Sequence, residues 1–249
     1  MKNDAPLGKN RTGIELSPLD KKDMLEIPEL TVPSTPGNGA GLAAARSEYI
    51  LAPDLVGSVP PPASIRGVRT TGVAAVKGLN AVVLMDKLGE RLAFERTGTR
   101  LYEALMNKCV AGEPLPDGPS LADLQLIHSE ELAHFELVQD AIRTLGGDPT
   151  AMTPSADLGS VASAGLVQVV TDPRTTTRQS LEAMLIAELV DNDGWALLIE
   201  LTRTAEQDAL AQRFEDARQR EEEHLAKLRR WVKGAAIALE KPAAATSRA

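Results

Sequence analysis

Glu131 and His134 lie three residues apart in "HSEELAHFELV" (residues 128–138), and Glu221 and His224 repeat that spacing in "REEEHLAKL" (residues 220–228). In a helix, residues three apart stand on adjacent turns of one face, so each carboxylate and imidazole point the same way. Neither pair falls on a charged face. At helical spacing the stripe through the first pair reads Leu124, Ile127, Glu131, His134, Phe135, Val138, Ile142 and Leu145. The stripe through the second reads Leu210, Phe214, Ala217, Glu221, His224, Leu225, Leu228 and Val232. One carboxylate interrupts each of two further apolar stripes: Glu95 among Leu84, Leu88, Tyr102 and Met106, and Glu188 among Leu181, Met184, Leu185, Trp195 and Ile199.

A buried carboxylate with no compensating charge takes up a proton rather than stay ionised. Four of them facing one core therefore need a countercharge. Two divalent cations match four carboxylates with both imidazoles neutral, and the sum closes without any Lys or Arg. Carboxylate oxygen and imidazole nitrogen suit iron or manganese, and the absence of thiolate ligands disfavours a structural zinc. Within each pair, His can ligate one metal while Glu bridges both. The expected metal-ligating and catalytic residues are thus Glu95, Glu131, His134, Glu188, Glu221 and His224, holding two iron ions, with manganese as the alternative.

Other residues compete for these roles. Glu90 and Glu103 are also on the first helix, but lie about 140° and about 80° around the axis from Glu95. His128 precedes Glu131 by three and is either a hydrogen-bonded boundary histidine or a group reaching the site from behind its ligands. Tyr102 and Trp195 follow Glu95 and Glu188 by seven residues, two turns along the same faces. Core packing is one reading of them; a hydrogen bond to a ligand or an electron relay is the other.

The elements that must position these groups are four long helices. The first is predicted from about residue 72 to 109, and the second from the cap Ser120, with Asp123 three on, to the stop at Gly146, Gly147 and Pro149. The third starts at Thr176 and Gln179 and reaches about 203; the fourth starts at Thr204 and Gln207, another capping box, and reaches about 238. Two connections are short and one, residues 148–175, is long enough to run the length of a bundle; its "LGSVASAGLVQVV" can form a short extra helix. Residues 1–71 read as an extended Pro-rich arm: nine of the 16 prolines fall before residue 67, with no sustained period. Ile50, Leu51, Leu55, Val56 and Ile65 make its second half apolar enough to dock on something. Residues 239–249 form a tail.

Composition narrows the class. The chain has 249 residues, 43% hydrophobic and 25% charged but only 3% aromatic, which favours an all-α protein. A net charge of −8 argues against nucleic acid as a partner, and the short basic "LRRWVK" reads as the cationic last turn of the fourth helix. Neither a signal peptide's apolar segment nor a membrane-length apolar run is present, so no membrane association and a cytoplasmic location are expected. The single Cys109 excludes an intrachain disulfide framework and a four-cysteine metal site.

The series Glu95, Glu131-x-x-His134, Glu188, Glu221-x-x-His224 resembles the ferritin-like di-iron carboxylate proteins, which carry Glu, ExxH, Glu and ExxH on four successive helices. "FELVQDAIRTLGGDP" is similar to the second-helix ending of their rubrerythrin-like and bacterioferritin-like members. The match covers residues 72–238, and the separations of 36 residues (Glu95 to Glu131) and 33 (Glu188 to Glu221) suit antiparallel hairpins. The resemblance implies a ferritin-like four-helix bundle with a long crossover between helices 2 and 3, Glu95 and Glu188 as terminal carboxylates, and Glu131 and Glu221 as bridges. It implies activation of O2 or H2O2 by a ferroxidase- or peroxidase-type oxidoreductase in iron or oxidative-stress handling. With one cysteine the chain has no rubredoxin module, so peroxidase turnover would need an external electron donor. Its length and arm disfavour a closed storage shell, leaving a homo-oligomer or a partner protein contacted by the arm. Two alternatives are a di-iron oxygenase or oxidase acting on an organic substrate, with room near Gly98 and Thr99, and a structural or cargo protein whose metals brace the bundle.

Overall fold

The computed structural model describes residues 39–51 and 81–240, with isolated positions elsewhere before residue 60. Every regular element among the described residues is a helix: α1 (Gly39–Leu51), α2 (Ala81–Ala111), α3 (Leu121–Thr144), α4 (Pro154–Thr171), α5 (Thr177–Thr204) and α6 (Asp208–Glu240). The chain divides into two compact units, residues 1–54 and 55–249. The first holds α1 and the second holds α2 to α6.

The described part of the N-terminal arm is helical rather than extended. Gly39–Leu51 contains no proline and includes Ala43, Ala44 and Ala45, so intrinsic propensity forms a helix where no apolar period exists. Ile50 and Leu51 are exposed on it. Leu55, Val56 and Ile65, the expected boundary at 71 and 72, the start of the first long helix before Ala81, and the tail from 241 lie outside the described residues.

Local signals place three helix starts. Ser120 and Asp123 form a capping box at α3, as do Thr176 and Gln179 at α5. Thr153 caps α4, with Pro154 in the first turn. The expected box at Thr204 and Gln207 does not form: Thr204 is the last residue of α5 and its hydroxyl donates to Glu200 O, while the Gln207 carbonyl accepts from the amides of Leu210 and Ala211 in α6. Glu206, at φ 57°, makes the tight reversal between the two helices. α6 runs on to Glu240, so the basic stretch near Arg230 lies within the helix, with Trp231 buried beside it.

The core of the larger unit has two apolar layers. One joins Leu101, Tyr102 and Leu105 of α2 to Leu124 and Ile127 of α3, Leu181 and Met184 of α5, and Leu228 and Trp231 of α6. The other joins Leu84, Leu88 and Leu92 to Val138 and Ile142, Trp195, Leu198 and Ile199, and Phe214 and Ala217. On α2 and α6 the residue numbers run through the layers in opposite senses to their chain neighbours α3 and α5, so α2 is antiparallel to α3 and α5 to α6, while α3 and α5 run in the same sense. α2 packs on α3, α4 and α5, and α6 packs chiefly on α5.

α3 ends beside one layer and α5 begins beside the other. The connection therefore traverses the bundle, and α4 does this as a helix of 18 residues, longer than the short piece expected. At its start, Thr153 Oγ1 donates to Asp86 O (3.0 Å), and Ser155 donates from N and Oγ to the Asp86 carboxylate (2.9 and 2.7 Å). At its far end Val170 enters the first layer, and Lys108 Nζ donates to Asp172 O (2.8 Å) and Thr175 O (3.0 Å). Among the described residues no helix is long and apolar enough to cross a membrane.

Asp86 fixes the height at which α4 starts, and both of its carboxylate oxygens are used. Asp86→Ala should cost about 1–2 kcal/mol of stability, the scale of hydrogen bonds to a charged group at a partly exposed site. Thermal unfolding checks this: a Tm lowered by several degrees is expected, and an unchanged Tm contradicts the assignment.

Candidate metal centre

Between the two apolar layers each long helix contributes polar side chains at one common height. Glu95, Glu131, His134, Glu188, Glu221 and His224 are all buried, none more than 5% exposed. The rivals on α2 are not: Glu90 is partly exposed and paired with Lys87, and Glu103 is exposed. The six converge in two overlapping groups whose potential ligand atoms lie within 4.8 Å of one another, one made of Glu131, Glu188, Glu221 and His224, the other of Glu95, His134 and Glu221. Glu221 belongs to both.

The contacts are close. His134 Nδ1 lies 2.5 Å from Glu221 Oε1 and 3.9 Å from Glu95 Oε2; His224 Nδ1 lies 3.1 Å from Glu221 Oε2 and 3.5 Å from Glu131 Oε1. His224 Nε2 is 2.8 Å from Glu130 Oε2, so a carboxylate outside the cluster takes the far ring nitrogen and the near one faces inward. The Tyr102 hydroxyl donates to Glu188 Oε1 while its ring packs in the first apolar layer, so core packing and a hydrogen bond to Glu188 both describe that tyrosine. Trp195 is fully buried edge-on to His134, with ring centroids 5.7 Å apart, and packs in the same way on Phe214. His128 is half-buried and makes no hydrogen bond or ion pair with the cluster among the described residues.

Two features depart from expectation. Arg91 is buried at the cluster, with Nε 3.2 Å from Glu95 Oε1 and Nη2 2.8 Å from Asp191 Oδ1. The charge sum thus does include an arginine. Asp191 is buried too, so five carboxylates and one guanidinium still leave four negative charges, the same excess as four carboxylates alone. The space expected near Gly98 is also filled, because a Cβ there would overlap Glu131 Oε2. Gly98 is a cradle for a carboxylate, and Thr99 Oγ1 is turned back to Glu95 O (3.0 Å). The periodicity of single helices missed Arg91, Asp191 and Glu130, although Glu188 and Asp191 repeat the i, i+3 spacing of the two Glu/His pairs.

Burial dominates the electrostatics. It raises the Glu95 carboxyl well above its ordinary value, assisted by the charge of Asp191 and only partly opposed by Arg91. Glu221 is raised likewise by burial and by Asp191 and Glu131, and Glu131 is raised by burial against the pull of His224. Glu188 is pushed up to about 8 by burial and the charge of Glu131. Burial, with His224 and Arg91 nearby, pushes the His134 imidazole down to about 3. Burial also works against His224, yet Glu131, Glu188 and Glu130 raise it to about 9.

Among the buried oxygens Glu95 Oε2 and Glu188 Oε2 accept no hydrogen bond, while Glu95 Oε1 meets only the Arg91 ion pair and Glu221 Oε1 only the His134 ring nitrogen. Such acceptors are normally satisfied. Oxygen and imidazole donors, an excess of negative charge and inward acceptors together form a site that divalent cations fit. No protein-family model, curated protein or solved structure matches the chain.

In metal-free protein the two imidazoles should titrate far apart. Histidine NMR should find His134 neutral down to about pH 3 and His224 cationic up to about pH 9. Two midpoints near 6.5 contradict the geometry. The stability consequence has a definite sign. Glu188, raised from 4.5, and His224, raised from 6.5, hold protons in the folded state that the unfolded chain has lost, so their contribution declines as pH rises toward 8 and 9. The metal-free Tm should therefore drop between pH 7 and 9.

Proposed function

We propose that residues 81–240 form a ferritin-like four-helix bundle holding two metal ions, iron with manganese as the alternative, and that it works as a ferroxidase- or peroxidase-type oxidoreductase. The observation that carries this reading is the sharing of Glu221 by two buried ligand groups, each completed by its own histidine. Two antiparallel helix pairs and a connection that traverses the bundle between the second and third long helices support the ferritin-like assignment. In this reading Glu95 and His134 hold one ion, Glu131, Glu188 and His224 hold the other, and Glu221 lies between.

Bound iron would supply electrons to O2 or peroxide, and peroxidase turnover would draw on an external electron donor. The chain's own residues hold, orient and shield the site. Glu130 on His224 Nε2 keeps Nδ1 toward the cluster, which fixes ring orientation and tautomer together. The Tyr102 hydroxyl holds Glu188 by Oε1 and leaves Oε2 facing inward. Asn192 Nδ2 donates to both Glu188 O (3.0 Å) and Glu221 O (3.1 Å), so one side chain ties α5 to α6 at the height of the cluster. The apolar layers above and below exclude bulk water, and the neutral carboxyls of the metal-free state would release protons as cations enter.

Anaerobic titration with Fe(II), followed by stopped-flow mixing with O2 or H2O2, tests the proposal. Two irons per chain and oxidation by one of these oxidants are expected. Glu221→Ala takes a donor from both groups and should lower binding below two irons per chain and slow oxidation by more than the roughly 10- to 100-fold typical of an outer partner. Two irons inert to both oxidants would contradict the oxidoreductase reading and leave a bracing role.

A further inference from the structure

We propose that the two metal positions are unequal, and that Arg91 makes the position of Glu95, His134 and Glu221 the weaker of the two. The inference rests on the two-metal reading above.

The donor sets already differ: one group offers four side chains and the other three. Their surroundings differ as well. Around the four-donor group the neighbours support the ligands, with Tyr102 on Glu188 and Glu130 on His224. At the three-donor group the neighbour competes, because Arg91 Nε stands 3.2 Å from Glu95 Oε1. A cation entering there must share Glu95 with a guanidinium that never loses its charge.

Arg91 cannot swing aside. Its Nη1 donates to Asp191 O (2.9 Å), its Nη2 is 2.8 Å from Asp191 Oδ1, and its Cζ lies 4.6 Å from the Phe94 ring centroid. Across α5 the guanidinium occupies the space a side chain would need at Gly194, where an added Cβ would overlap Nη1. The side chain is only 5% exposed, so there is no solvent for it to move into. Asp191 balances Arg91 in net charge and belongs to neither ligand group. The pair therefore leaves the total charge unchanged and acts locally, with its cationic end on Glu95. This predicts stepwise loading, the four-donor position first.

Titration with Mn(II), read by the EPR signal of the free ion and by equilibrium dialysis, tests the assignment without reference to activity. Two steps of one Mn(II) each are expected in the unaltered chain, at least about tenfold apart in Kd, the scale on which an outer partner changes metal affinity. The paired substitution R91Q/D191N removes the guanidinium without stranding its partner. It should tighten the weak step by at least about fivefold and leave the tight step unchanged. Glu95→Gln should abolish the weak step and keep the tight one, and this variant decides the matter if the paired substitution fails to fold by circular dichroism. Equal steps in the unaltered chain, an undiminished gap in folded R91Q/D191N, or loss of the tight step in Glu95→Gln would each overturn the inference while leaving the two-metal reading intact. Binding of no Mn(II) at all would instead overturn that reading.

Discussion

Four glutamate carboxyls buried between two apolar layers, beside one guanidinium already held by Asp191, constrain the rest of this bundle. An ionised carboxylate in such surroundings loses far more solvation than any single hydrogen bond returns. The chain nevertheless places Glu95, Glu131, Glu188 and Glu221 at one height, and gives a fifth, Asp191, its own guanidinium. Helix length, antiparallel packing and the traverse by α4 all keep that height in register. Without a cation, burial drives the four glutamates toward protonation. With two divalent cations, as proposed, the same groups would become ligands and coordination would offset the cost of burying them.

Close approach of the helices follows from small residues placed against large polar ones. Gly98 makes room for the Glu131 carboxylate, and Gly194 makes room for Arg91. At both positions a methyl group would displace a charged group of the cluster, so the glycines act on the chemistry through geometry. Arg91 and Asp191 add a pair neutral in sum that touches the cluster at Glu95 only, so the surroundings of its two ends differ.

Much of the centre could be read in one dimension because its residues interrupt apolar stripes at helical spacing. Glu131 with His134 and Glu221 with His224 stand out for that reason, and Glu95 and Glu188 follow as lone carboxylates on buried faces. Arg91 and Asp191 were not legible, since their pairing joins residues 100 apart on different helices and each alone reads as a solvated charge. Glu130 was hidden for the opposite reason: next to Glu131 it belongs by period to the outer face, yet it reaches across to His224 on α6. Among the elements, the capping boxes at Ser120 and Thr176 held because their hydrogen bonds are local. The one expected at Thr204 failed because α5 continues through it and Glu206 makes the turn. The helix Gly39–Leu51 has no amphipathic period and rests on alanine propensity alone, a signal outweighed in the sequence by the surrounding prolines.

Anomalous diffraction from crystals of the full chain grown with Fe(II) under anaerobic conditions bears most directly on whether the buried carboxylates and imidazoles hold cations. Two anomalous peaks per chain are predicted, both within coordinating reach of Glu221, one also beside His134 and the other beside His224. An empty cluster, or peaks confined to surface carboxylates, would contradict the account.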